Sequence, residues 1–418
     1  MISYKNNGLF KLYLYFLNHP DMKKYLFFTL TFTSVMLFAQ NNIRRVAAVG
    51  FYNVENLWDT QKSADYIDGT KDVSNPAFHR SIPVDSIQYL EHEPYKGQWS
   101  DELLKGKKAV RYQYGSDEFT PQSAKNYNEK TYQKKLSNIA QVISEIGSKY
   151  TKTAPAVVGL VEVENRQVVE ALVQQPQLAK YNYGVVHFNS YDGRGIDNAL
   201  IYQKGRFKLE KAWKKELKIF DNGKREYTRD LLVAIGELDG EKFAFFVNHW
   251  PSRRGGEAIS LPKRNAAAAL LNQQMDSIRK NYPEYKLMAM GDFNDDPVSP
   301  SFKNYVKATG DINKVDEETP YFNPMYKMFK NGVASLAYQD APNLFDQIIY
   351  SKNLIGDKER SAQNTYTIYT TEVYAPAYLI TKEGSYKGYP FRSWSGDRFT
   401  DGYSDHFPVF SILQKSAQ

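Results

Sequence analysis

The chain has 418 residues and no cysteine, which excludes disulfide scaffolds, thiolate-bound zinc, iron–sulfur clusters and thiol nucleophiles, and confines any metal to oxygen or nitrogen donors. A hydrophobic content of 42%, a charged content of 24% and a mean hydropathy of −0.58 exclude a wholly disordered, collagenous or polytopic membrane chain. The formal charge is +7, but residues 1–40 hold four lysines against one aspartate, so the rest carries 50 basic and 46 acidic residues, a net +4 that points only weakly to an anionic partner.

In chain order, the stretch from Met22 (MKKYLFFTLTFTSVMLFAQ) has a basic start, an apolar run over Tyr25–Phe38 and small or weakly polar residues at its end, the layout of a secretory signal peptide. The run is shorter than the roughly 20 residues that cross a bilayer, and Asn41, Asn42, Arg44 and Arg45 follow it directly. Residues 1–40 are therefore expected to be a leader whose start is Met22, with cleavage near Gln40 or Asn41, no permanent anchor, and export to the periplasm or the exterior. Residues 41–418 are expected to form one domain, because no repeat or linker-like stretch interrupts them.

RVAAVGFY at 45–52 has strand character, and 60–128 is polar, aromatic-dotted and without clear period, an excursion from the core. Tyr132, Leu136, Ile139, Ile143 and Ile146 recur at threes and fours, which predicts a helix over 130–148, and AVVGLVEV at 156–163 is a buried strand. Strands follow at 185–189 and 197–203. LLVAIGEL and KFAFFVNHW flank Asp239-Gly240 and Glu241 as a hairpin whose turn pair suits positive φ. Leu271, Met275 and Ile278 mark a helix over 262–281, KLMAM at 286–290 is another buried strand, and FDQIIYS (345–351) and FPVFSIL (407–413) complete the core. This mixture of hairpins and helix crossovers predicts an α/β sandwich, two sheets face to face with helices outside.

In five places an apolar strand ends in carboxylate, amide or imidazole groups: Asn53 and Glu55, Glu162 and Glu164, Asn248 and His249, Asp292 and Asn294 of GDFND, and Ser404-Asp405-His406. Layered folds present side chains to a cleft at such positions. Singly each has a plain explanation: Glu164 and Asp295 as solvated caps, His249 as a satisfied core histidine, GDFN as a turn. Together they supply hard oxygen ligands for a divalent cation, a base for water, donors for phosphoryl oxygens and an acid for a leaving group, the needs of phosphodiester hydrolysis.

NVEN, GLVEVEN, IDNALIY, NHWPSRRGG, GDFND, FDQIIY and GYSDHFP occur in this order, and in this the chain resembles the endonuclease/exonuclease/phosphatase superfamily, which includes DNase-I-like nucleases and sphingomyelinase-like phosphodiesterases. The likeness covers about 46–413 apart from an insertion near 60–115, and its wording is most similar to a branch of secreted bacterial endonucleases. It implies a four-layer α/β sandwich of two mixed β-sheets with helices outside. It further implies Glu162 as principal metal ligand, assisted by Asn53 and Asp405, with Mg²⁺ first and Mn²⁺ or Ca²⁺ as alternates. Asp292 and Asn294 take activating and orienting roles. His406 paired with Asp346 is the implied base, a role that Asp292 also contests, and His249 is the acid or phosphate-polarising group, with Asp197 of GIDNALIY as candidate partner. Arg253 and Arg254 are candidates to hold phosphate, ahead of Arg194, Arg229 and Arg392.

The implied substrate is DNA or RNA, cleaved by a chain with no stable protein partner, acting as a monomer. A phospholipid head group or other small phosphoester keeps the chemistry and changes the substrate, and a surface-binding module without catalysis is the alternative of another class. The 32 Tyr and 24 Phe offer platforms for unpaired bases, although aromatics at strand spacing more often build core.

Overall fold

The computed structural model describes residues 44–61, 66–67, 112–113, 117–190, 192, 194–221, 224–356 and 364–416. The expected leader and nearly all of the expected insertion at 60–115 lie outside the described residues.

The first sheet holds β1 (Arg44–Leu57), β2 (Val157–Val163), β3 (Tyr183–Phe188) and β4 (Asp197–Gln203). The second holds β5 (Phe207–Lys215), β6 (Leu231–Leu238), β7 (Glu241–His249), β8 (Lys286–Asp292) and the short β9 (Ala308–Thr309) and β10 (Tyr321–Phe322), then β11 (Asp346–Ser351). β12 (Thr367–Val373) and β13 (Val409–Ser416) return to the first sheet. The spatial orders are β12-β13-β1-β2-β4-β3 and β9-β10-β11-β8-β7-β6-β5. Each sheet is mixed, since β1–β2 and β7–β8 are parallel pairs among antiparallel neighbours.

Period-two alternation explains the layers. Ala47, Val49 and Phe51 of β1 face Phe243, Phe245 and Val247 of β7 and Met288 and Met290 of β8 in one core between the sheets. Ala48 and Tyr52 point the other way, to a second core under α1 (Glu129–Glu145) and α2 (Arg166–Val173). Ala244, Phe246, Leu287 and Ala289 pack beneath α3 (Glu257–Asn281) in a third. The result is a four-layer α/β sandwich. Both faces of each sheet are covered, which is why its strands read as continuous apolar runs.

Local signals account for the element ends. Asn128 caps α1 by accepting from the Thr131 N–H at 3.2 Å, and the predicted face of Leu136, Ile139 and Ile143 is fully buried, each side chain contributing about 1.5–3 kcal/mol. Asp239 and Gly240 both take positive φ (48° and 85°) in the β6–β7 turn, as their residue types imply.

Two expectations need correction. α3 starts at Glu257 rather than 262, with Pro262 inside its second turn; the Ser260 hydroxyl donates to the Gly256 carbonyl at 2.7 Å and Arg264 to the Glu257 carbonyl at 3.1 Å, which adds side-chain bonds to the turn before the proline. The end of the 60–128 stretch is core rather than excursion. Phe119 stacks on Trp58 with centroids 5.3 Å apart, and Tyr127 donates to the Trp58 carbonyl at 2.9 Å. This knot of rings comes from loops, so it leaves no periodic trace.

Candidate active site

The inward rows of the central strands run past the apolar core to one end of the sandwich. Asn53 stands two residues beyond Phe51, His249 two beyond Val247, Asp292 two beyond Met290, and Asp346 two before Ile348. All four are buried. Gly291 lets β8 approach β7: a Cβ there would lie 2.4 Å from the Asn248 carbonyl oxygen.

Glu162 reaches the same place differently. Val158 and Leu160 of β2 face α1 and α2, so strict alternation would send Glu162 outward. Its φ of 64° and a register shift between Val161 and Val163 make it the extra residue of a bulge, which re-aims its carboxylate into the cleft.

These groups converge. His249 Nε2 lies 3.6 Å and His406 Nε2 3.9 Å from Asp292 Oδ2, and Asn53 Nδ2 donates to that oxygen at 3.1 Å. The Asn294 N–H donates to Asp292 Oδ1 at 3.0 Å, while the Asn294 side chain donates to the Trp250 carbonyl at 2.9 Å. His406 Nδ1 bonds Asp346 Oδ2 at 2.8 Å, and Asp405 Oδ1 lies 4.0 Å from His406 Nε2.

Burial pushes Asp292 up to about 6, His406 opposing it and Asp346 adding to it. Burial alone would lower His406, but Asp346, its hydrogen bond and Asp292 outweigh it and hold the imidazole well above its ordinary value. Burial and the guanidinium groups of Arg229 and Arg194 hold His249 well below its own. The two imidazoles are thus electrostatically opposite: one cationic, one neutral.

Asp197 does not serve His249. Its carboxylate lies 3.1 Å from His187 Nε2 and accepts the Ser190 N–H at 2.7 Å, whereas His249 Nδ1 is buried without a hydrogen-bond partner among the described residues. β4 ends at the right level but aims this carboxylate at the neighbouring strand β3.

The two arginines of NHWPSRRGG also part company. Arg253 is buried, donates to the Asn294 carbonyl at 3.0 Å and to Asp296 at 3.1 Å, and lies over the Phe345 ring at 4.5 Å. Its fork is occupied, so it props the GDFND loop instead of holding phosphate, while Arg254 lines the cleft. Arg253→Ala is expected to destabilise the fold by about 3–5 kcal/mol, because Asp296 loses its buried cation. Arg254→Ala should leave the urea midpoint unchanged.

Ser335 and Lys135 escape sequence reading, as do the contacts made by Glu55. Ser335 donates to Asp346 Oδ2 at 2.5 Å across the short hairpin over 336–343. Lys135, fully buried on α1, donates to the Glu55 carbonyl at 2.6 Å and Ser393 Oγ at 2.7 Å, and burial pulls it down to about 8. Glu55, pushed up to about 7 by burial and by Asp405, binds Arg392 at 3.0 Å. The one signal was Lys135 itself, a lysine three residues after Tyr132 in an apolar stripe. Arg194 lies 3.5 Å from Glu162 Oε1, closer to the centre than its position in the sequence implied.

The donor set suits a hard cation. Glu162 Oε2 accepts the Asn56 N–H at 3.1 Å, and among the described residues Oε1 has Arg194 at 3.5 Å and His249 at 3.9 Å, both slack. Asp405 is 3.4 Å from Arg392. Among the described residues no group of three or more His, Asp or Glu side chains is placed to hold a metal ion. Glu162, Asp292, Arg194, Arg254 and both imidazoles line one cleft of about 1340 Å³.

A sequence profile of the Endonuclease/Exonuclease/phosphatase family matches residues 112–415. The chain belongs to that family, a group of hydrolases acting on phosphodiester bonds whose members typically depend on a divalent metal. Among solved structures, it is similar to a family protein from Bacteroides thetaiotaomicron (14% identity, 90% of this chain and 96% of that one, TM-score 0.47). Another is from Bacteroides vulgatus (12%, 89% and 100%, 0.44). A third is D. rerio TDP2 complexed with single-strand DNA product (16%, 66% and 92%, 0.42). No curated protein matches.

Proposed function

We propose that the chain is an exported, Mg²⁺-dependent endonuclease that hydrolyses phosphodiester bonds of DNA, and of RNA, by in-line attack of water, acting as a monomer. The observation that carries this reading is the convergence of both imidazole Nε2 atoms on Asp292 Oδ2, at 3.6 and 3.9 Å, beside the slack carboxylate of Glu162. Glu162, with Asn53 and Asp405 directly or through water, would hold a divalent cation, which would supply Lewis-acid polarisation of the phosphoryl oxygen.

The protein's own groups do the rest. Asp292 is the hydrogen-bond acceptor at the centre of the cluster, and it takes the proton of the attacking water. Asn294 is held beside it by its own backbone bond. His406, locked through Nδ1 on Asp346, offers Nε2–H to a phosphoryl oxygen. His249 offers Nε2–H as a neutral donor, because no carboxylate stands behind its Nδ1 to support a protonated ring.

The test is a substrate panel of duplex DNA, single-stranded DNA, RNA, sphingomyelin and p-nitrophenyl phosphate, each with Mg²⁺, Mn²⁺, Ca²⁺ or chelator. Internal cleavage of nucleic acid is expected with Mg²⁺, lost in chelator and lost in Glu162→Gln. Turnover of sphingomyelin or the monoester alone, or full nuclease activity in chelator, would overturn it.

A further inference from the structure

The wall of the cleft beyond the reaction centre is aromatic, and nothing in the catalytic account uses it. A tight loop over 380–390 builds it. Thr381 N–H donates to the Tyr389 carbonyl at 2.8 Å, Gly388 N–H to the Thr381 carbonyl at 2.9 Å and Tyr389 N–H to the Tyr386 carbonyl at 3.0 Å. Gly384 and Gly388, at φ of 77° and 92°, permit the two reversals. The loop holds Tyr386 at its tip, 61% exposed, with the Tyr389 ring 5.7 Å away. Tyr386 is exposed and Tyr389 half-buried, and both rings line the same cleft as Asp292 and His406.

The aromatic wall continues into a basic one. The hairpin of 336–343 bridges them, since Asp340 accepts from the Tyr389 hydroxyl at 3.0 Å and the Tyr338 hydroxyl donates to the Arg253 carbonyl at 3.4 Å. Arg254, next in the chain, is exposed and makes no hydrogen bond or ion pair with any described residue. The cleft's volume, about 1340 Å³, exceeds the roughly 300–1,000 Å³ of small-molecule pockets, so it has room for more than one monomer unit.

We propose that this wall is a base-stacking subsite for an unpaired nucleotide strand, Tyr386 and Tyr389 taking bases while Arg254 takes backbone phosphate beside the reaction centre. The proposal rests on the phosphodiesterase reading above and narrows its substrate to single-stranded nucleic acid. Bases in a duplex already stack on each other and present only edges, whereas an unpaired base offers a free face to a tyrosine. A quaternary ammonium head group is the other chemistry that seeks aromatic walls, and sphingomyelin vesicles, which present one, are therefore an arm of the test.

The experiment measures binding of the full chain in chelator by fluorescence anisotropy. The probes are a labelled DNA 12-mer, the same strand annealed to its complement, and a 12-mer in which abasic sites replace the bases. The wild type is expected to bind the strand with bases about tenfold or more tightly than the abasic strand. Tyr386→Ala should bring that ratio close to one, and Tyr386→Trp should keep it. Equal affinity for the two single strands, tighter binding of the duplex, a ratio unmoved by Tyr386→Ala, or preferred binding to sphingomyelin vesicles would each overturn the subsite. Wild type that shows the base-dependent ratio yet cleaves no diester with any divalent cation would uphold the subsite and overturn the phosphodiesterase reading.

Discussion

Asp292→Asn is expected to lower kcat by about 10³–10⁴-fold, in the upper range for loss of a positioned acid or base. The substitution keeps the shape of the side chain, so the bond from the Asn294 N–H to Oδ1 survives and the GDFND loop stays in place. What disappears is the oxygen at which Asn53, His249 and His406 all point. An amide there can neither take a proton from water nor balance the cationic ring of His406. The thermal midpoint should not fall, because removing a desolvated charge costs the fold little when its main partner, His406, keeps Asp346. The check is single-turnover cleavage with a parallel melting curve, and activity within tenfold of wild type would show that Asp292 is not the base.

His249→Ala should lose about 10²–10³-fold, and the loss should be equal on an ordinary phosphodiester and on a p-nitrophenyl diester. The motif resemblance allows an acid at this position, in which case the activated ester, whose leaving group departs without protonation, would be spared. The structure argues for the equal loss. Arg229 and Arg194 oppose a second positive charge, and no carboxylate supports the ring from Nδ1. Kinetics of the variant on both esters decide between the two roles, and a loss confined to the unactivated ester would restore the acid.

How much of this was legible follows from where each residue sits. Asn53, His249, Asp292 and Asp346 each continue the inward alternation of a strand already visible as an apolar run, so their convergence at one sheet end was readable from period two. Glu162 was not readable in that way. It stands in phase with outward Val158 and Leu160, and only the bulge turns it in; the ordered motifs found it where alternation would have rejected it. Asp197 was placed on the correct strand but given the wrong imidazole, because a strand end fixes the level of a side chain and not which neighbour it meets. Arg253 and Arg254 are adjacent and chemically identical in sequence, and only tertiary burial separates prop from cleft. Glu55 was visible at the end of the first strand, but its partner Lys135 reaches it from a segment far along the chain, and Ser335 meets Asp346 only because a short hairpin brings it back, contacts for which no local pattern exists.

The placement of these parts has a consequence for descent. The candidate site groups of Asn53, His249, Asp292 and Asp346 are rooted in strands whose other residues form the core between the sheets, so a change there is felt as a change in folding. The 336–343 and 380–390 segments hang outside that core, and loops so placed tolerate substitution and altered length. A lineage built on this scaffold can therefore rewrite these two surface segments while inheriting the strand-end groups unaltered. Relatives that share the strand-end residues and differ in those loops should be regarded as carrying one chemistry under several specificities.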